Sequence, residues 1–122
     1  MASRRKELQE DAKLRLMQII KTNPQITSRK IAQHIGISNG SAYYLLSELI
    51  DKGFLKLKIF KKNPQKKVYL YLLTPKGIRE KSLLTSAFLK RKYKEYEALK
   101  EEITFLEQET GIFFKDTKPK DN

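Results

Sequence analysis

Between residues 27 and 53 the chain carries two helix starts and two helix stops in close succession, and this punctuation limits the fold more than any other feature. Thr27 or Ser28 can cap a helix whose inward face is Ile31, Ala32 and Ile35, and Gly36 ends it after about two turns. Ser38 is a second N-cap. It opens a helix from Asn39 to Lys52 with Ala42, Leu45, Leu46, Leu49 and Ile50 at core spacing, closed by Gly53 just past its end. Two short helices joined by a glycine-containing turn are the helix-turn-helix arrangement.

The flanks complete a fold around this pair. From Lys6 to Thr22 the apolar residues Leu8, Ala12, Leu16, Ile19 and Ile20 recur at steps of three and four, the spacing of one helix face. Asn23-Pro24 stops that helix, because a residue before proline is pushed out of the helical region. After Gly53, Leu55, Leu57 and Ile59 alternate with Lys56, Lys58 and Phe60, and Val68 to Leu73 is a second β-rich run. The two runs predict a hairpin around Lys61 to Lys67, with a tip too long for a tight two-residue turn and too polar to be buried.

Thr74-Pro75 then caps and starts a last helix, with proline suited to the first helical position. This helix is expected to run to about Thr110. Placing Leu89, Tyr96, Ile103 and Thr110 at heptad position a puts Lys92, Leu99, Leu106 and Phe113 at d. A helix of roughly 35 residues is about 50 Å long, more than the preceding domain is wide, so its apolar stripe calls for a second chain. The expected fold class is mainly α with a small β-hairpin wing: a winged helix-turn-helix over residues 1–81, then a C-terminal coiled-coil helix over 82–114 for dimerisation. A disordered polar tail over 115–122 completes the expectation.

Charge follows the same division. Residues 1–81 hold 18 Lys and Arg against 6 Asp and Glu, whereas residues 82–122 hold 8 against 8, so the first two thirds carry the whole net charge of +12. A basic part followed by a neutral one implies a surface that meets a polyanion and a segment that does something else, such as association. There is no cysteine, which excludes disulfides and thiolate metal sites. No apolar run approaches a membrane span and no signal-peptide pattern follows the N-terminus, so the expectation is a cytoplasmic protein that does not engage membranes. The single His34, with no phosphate-cradling glycine loop or nucleophile–base pair, points away from an enzyme, and no metal or cofactor is expected.

The DNA major groove admits one α-helix, whose N-terminal residues reach base edges. With the inner face of the helix from Ser38 taken by its apolar residues, Ser38, Asn39, Gly40, Ser41, Tyr43, Tyr44 and Ser47 are left outward. These are short polar groups and hydroxyl-bearing aromatics suited to phosphates and bases. Gly40 is a poor helix former, and close approach of backbone to DNA is one reason for it. Lys56 to Lys67 holds six lysines and no acid in twelve residues. At a hairpin tip, Lys61, Lys62, Asn63, Lys66 and Lys67 form a wing for the phosphate backbone, and Ser28, Arg29 and Lys30 add contacts from the preceding helix. Leu89, Tyr96, Leu99, Ile103 and Leu106 are the candidate dimer contacts.

Three stretches also resemble a known family. Ile31-Ala32 through Ile37-Ser38, Leu49-Ile50-Asp51-Lys52-Gly53-Phe54 and Leu73-Thr74-Pro75-Lys76-Gly77 are similar to the winged-helix core of the multiple antibiotic resistance regulator (MarR) family. Tyr69 through Ile78, Phe88 to Lys92 and Glu95 to Lys100 resemble its short subgroup associated with exopolysaccharide gene clusters. The resemblance implies a dimeric transcriptional regulator, usually a repressor, with the helix from Ser38 in the major groove of palindromic double-stranded DNA. Longer members of the family bind small, often phenolic, effectors where both chain ends wind together; the shortness of this chain argues against such a site. Many members carry an Asp and Arg pair on the wing, and lysines stand here instead, which favours phosphate contact over minor-groove insertion. The other readings of the same residues are a protein-protein adaptor in a transcription complex and an RNA-binding winged helix.

Overall fold

The computed structural model, which describes residues 2–114, places a helix boundary at each of the four signals between Thr27 and Gly53. The elements in order are α1 (Ala2–Thr22), α2 (Ser28–Ile35), α3 (Asn39–Asp51), β1 (Leu55–Asn63), β2 (Lys66–Leu73) and α4 (Pro75–Thr110). This is a winged helix, mostly helical with one two-stranded antiparallel hairpin. The tail expected to be disordered, residues 115–122, lies outside the described residues. No helix among the described residues is long and apolar enough to cross a membrane.

Each boundary has a local cause. The Thr27 hydroxyl accepts from Lys30 N–H at 3.2 Å, and Gly36, at φ 81°, returns its N–H to the Ala32 carbonyl. At the end of α3, Gly53 N–H reaches the Ile50 carbonyl and Phe54 N–H the Leu49 carbonyl, with Gly53 left-handed at φ 78°. These are the two bonds of a Schellman motif, and the buried pair Phe54 and Leu49 supplies its apolar contact.

The chain divides into two compact units after Ala87. The core of the first is Leu14, Leu16, Met17 and Ile20 of α1, Ile26, Ile31 and Ala32, then Ala42, Leu46 and Leu49 of α3, Phe54, Leu55 and Leu84. Fully burying side chains of this size contributes about 1.5–3 kcal/mol each. Two expectations change here. Leu8 is 62 % exposed, whereas Leu14 and Met17, outside the expected stripe, are among the most buried residues. α1 starts four residues earlier than expected, and its N-terminal half lies outside the core, so the inward stripe is set by what covers the second half. Leu45 and Ile50 are half-buried rather than core.

The Thr74-Pro75-Lys76-Gly77 run fastens α4 to the end of α3. The Thr74 hydroxyl donates to the Gly53 carbonyl and accepts from Gly77 N–H at 3.0 Å, while Thr74 N–H donates to the Phe54 carbonyl at 3.1 Å. Lys76 Nζ donates to the Lys52 carbonyl at 3.0 Å and lies over the Phe54 ring, 5.2 Å from its centre. Gly77 is buried, and a Cβ there would collide with the Phe54 carbonyl oxygen. Only glycine lets the two backbones approach this closely.

The wing corrects a further expectation. β1 and β2 pair in register from Leu55↔Leu73 to Lys61↔Lys67, and then Asn63 pairs with Lys66. Pro64 and Gln65 alone make the turn, so the tip is a tight two-residue connection after all. The Asn63 Oδ1 accepts from Gln65 N–H at 3.0 Å. No non-glycine residue among those described has positive φ, so the turn is not one of the primed types whose twist suits a hairpin. The register instead slips by one residue between Lys61 and Asn63, and such a bulge adds the local twist the turn lacks.

In the second unit α4 continues to Thr110, where Gly111 at φ 70° ends it and donates to the Glu107 carbonyl at 2.8 Å. Phe113 lies beyond this stop and does not extend the heptad, because a left-handed residue turns the chain off the helix axis. Among residues 88–114 only Glu107 is buried.

Candidate nucleic-acid interface

The first turn of α3 is built to leave its outer surface open. The Ser38 hydroxyl accepts from Ser41 N–H at 3.1 Å and donates to the Ser41 hydroxyl at 2.8 Å, which satisfies the end of the helix without covering it. Ser38, Asn39, Gly40 and Ser41 are all exposed. Tyr43 and Tyr44 follow at 68 % and 69 % exposure, so neither ring is packed. Ser47, expected outward with them, is half-buried, being one turn further along where α3 sinks toward the core.

Gly40 has no structural reason to be glycine. Its backbone is ordinary right-handed helix, and a Cβ would meet nothing within 4 Å. A residue that costs α3 stability at a position open to solvent leaves room for something outside the chain.

At α2, Arg29 and Lys30 are exposed on the first turn, and Ser28 is half-buried. On the wing Lys56, Lys58, Lys61, Lys62, Lys66 and Lys67 are exposed along both strands and around the turn. Asn63, expected among the contacts, has its side-chain oxygen engaged in shaping the turn.

The fold also assembles a tyrosine group that spacing did not reveal. The antiparallel register puts Tyr69 opposite Ile59 and Tyr71 opposite Leu57, two residues apart on one face of β2. The Tyr71 hydroxyl is pushed above its usual value, first by burial and then by the nearby Tyr69 and Tyr43 hydroxyls. Tyr71 N–H donates to the Pro24 carbonyl at 2.9 Å, which fixes the outer edge of β2. Tyr43 of α3 is near enough to add to that effect, although its own ring stands exposed. Alternation along Tyr69-Leu70-Tyr71 was the available signal; which helix residue faces it is settled only by the tertiary fold.

A groove opens on the other side of α3. One wall is the N-terminal part of α1, with Arg4, Arg5, Lys6, Leu8 and Lys13; the other includes Gly40, Ser41, Tyr44, Glu48 and Lys52. Lys52 is paired with Glu48 at 2.7 Å, and that hydrogen bond and charge hold its ammonium above the ordinary lysine value. Lys13 faces Glu80 at 3.9 Å.

The candidate association residues lie in the second unit. Leu89, Tyr96, Leu99, Ile103 and Leu106 are all exposed on α4. The single histidine, His34, is also exposed.

These features define a winged helix-turn-helix with an open third helix and a cationic hairpin. Residues 6–56 match the winged helix-turn-helix DNA-binding family model. Among solved structures, the chain is similar to the PcaV transcriptional regulator of Streptomyces coelicolor (TM-score 0.56, 13 % identity, 82 % of this chain and 78 % of that one). It is similar also to ZitR of Lactococcus lactis, a zinc-responsive MarR family member (TM-score 0.57, 21 % identity, 81 % and 66 %). A third likeness is to an S. aureus MepR variant bound to an oligodeoxyribonucleotide (TM-score 0.54, 17 % identity, 88 % of each chain). At these identities the likeness establishes a common fold. No curated protein sequence matches the chain.

Proposed function

We propose that this chain is a sequence-specific, double-stranded-DNA-binding transcriptional regulator of the MarR type that acts as a homodimer and represses its target. The observation that carries this reading is the open first turn of α3, with Ser38, Asn39, Gly40 and Ser41 exposed and Gly40 free of any internal demand, beside a wing whose lysines are all exposed. Short polar groups at the start of a helix reach base edges, while lysines on a projecting hairpin neutralise phosphates without reading sequence.

The exposed heptad residues of α4 support association of two chains. Two-fold pairing presents two α3 helices to half-sites about one DNA turn apart and makes the operator palindromic. The likeness of Tyr69 to Lys100 to the exopolysaccharide-associated subgroup directs attention to the neighbouring operon. A dimer sitting on that promoter excludes polymerase.

The test is a gel-shift titration of the full chain against the region upstream of its neighbouring operon, with and without competitor DNA, at physiological salt. A shift that survives competitor supports the reading; a shift abolished equally by any duplex would reduce it to general polyanion attraction. For association, Leu99→Lys is expected to sediment as a monomer, and a dimer of unchanged mass would place the interface elsewhere.

A further inference from the structure

The N-terminal half of α1 plays no part in the core, and its charges are placed where the helix itself gains nothing from them. Residues 4–9 are all exposed. The first turn of α1 holds no acid, and Arg4, Arg5 and Lys6 lie near the end of the helix at which cations are unfavourable. Among the described residues none of the three makes an ion pair.

Two rows of α1, Arg4-Leu8-Ala12 and Arg5-Gln9-Lys13, line the groove beside α3. The facing wall is again two rows at helical spacing, Ile37-Ser41-Leu45 and Gly40-Tyr44-Glu48-Lys52. Among the described lining residues five are cations, Arg4, Arg5, Lys6, Lys13 and Lys52, and two are acids, Glu10 and Glu48. Lys52 is offset by Glu48, and Lys13 by Glu80 outside the groove. What remains is Arg4, Arg5 and Lys6 against Glu10, so the groove's surplus positive charge lies on the α1 arm. It shares a groove with Gly40, Ser41 and Tyr44, the very residues that the proposed function places against DNA.

We infer that Arg4, Arg5 and Lys6 form a third DNA contact, gripping the phosphodiester strand that flanks the segment read by α3, on the side of that helix away from the wing. The inference rests on the DNA-binding reading of α3. The occupant is a polyanion because an unpaired cationic row continuous with a helix that faces a groove of DNA is complementary to the strand bounding that groove. The arm carries no base-reading geometry of its own. It adds affinity and reach, and it lengthens the footprint of each half-site without narrowing the sequence.

The experiment uses the full chain and a duplex selected by the wild-type chain from a random pool, with a scrambled duplex as companion. Arg4→Ala/Arg5→Ala/Lys6→Ala is compared with wild type, with the wing variant Lys62→Ala/Lys66→Ala, and with the charge-preserving Arg4→Lys/Arg5→Lys/Lys6→Arg. Each cation on a phosphate contributes about 0.9 to the slope of log affinity against log salt, so the arm variant is expected to lose about 2.7 per chain. Between about 50 and about 200 mM salt it then loses roughly 40-fold less affinity than wild type. Its preference for the selected over the scrambled duplex stays unchanged, and the charge-preserving variant restores the slope. An arm variant with wild-type slope and affinity, circular dichroism showing α1 intact, overturns the inference while the DNA reading stands. A loss of affinity explained by dissociation seen in sedimentation also overturns it. If wild type selects no duplex while remaining folded, the DNA reading fails and this inference with it.

Discussion

The first turns of α3 and α4 look alike in sequence and are glycine-bearing for opposite reasons. Each follows a hydroxyl cap, Ser38 or Thr74, and each places a glycine two or three residues after that cap, Gly40 or Gly77. At Gly77 the space for a Cβ is filled by the Phe54 carbonyl, and the glycine is a condition of packing. At Gly40 the space is empty, and the glycine weakens a helix that would be better off with alanine. The caps differ in the same sense. Thr74 bonds backward to Gly53 as well as forward to Gly77, whereas Ser38 serves only its own helix. A residue whose cost is repaid inside the fold belongs to architecture; one whose cost is not repaid there points outward.

The largest effect should come from Gly77→Ala, which forces two backbones apart and is expected to destabilise the protein by about 3 kcal/mol, measured by denaturant unfolding. A loss below about 1 kcal/mol would mean that α4 can shift freely on α3. Next, Thr74→Ala should cost about 2 kcal/mol and Ser38→Ala about 1 kcal/mol, because the first loses an inter-element hydrogen bond along with the cap. Equal losses would erase the distinction between the two caps. Gly40→Ala should raise stability by about 0.5–1 kcal/mol while weakening DNA binding; a variant that is both more stable and equally tight would show that the backbone at Gly40 does not approach DNA.

The smallest effect concerns the phenols beside α3. Since the folded Tyr71 hydroxyl titrates above its unfolded value of about 10, its protonated form is favoured by folding. Its contribution is complete below that value and is lost as pH rises through the folded one, so wild type should lose stability above pH 10 faster than Tyr71→Phe. Identical alkaline profiles would mean that burial does not hold the Tyr71 hydroxyl in its protonated form.

Signals confined to a few neighbouring residues were readable without coordinates. Thr27, Gly36, Ser38 and Gly53 each act on backbone groups within one turn, so their meaning does not depend on the rest of the chain. Leu8, Leu14 and Met17 were not readable in that way. Several apolar stripes are possible on α1, and only the docking of its second half against α2 and β2 chooses among them. The heptad carried Phe113 past Gly111 because periodicity does not register a left-handed stop. On the candidate interface, the outward face of α3 followed from its inward one, while the groove that Arg4 shares with Gly40 required the folded chain.

The bulge at Lys62 has its own consequence. The slipped residue lies beyond Phe60↔Val68, the last apolar pair, so the stem keeps its alternation in phase with the core while the tip is half a period out. Losing or gaining one residue there would re-set only the turn beyond Lys61↔Lys67 and leave every packed pair where it is. The tip of the wing can therefore change its turn without altering how the chain folds.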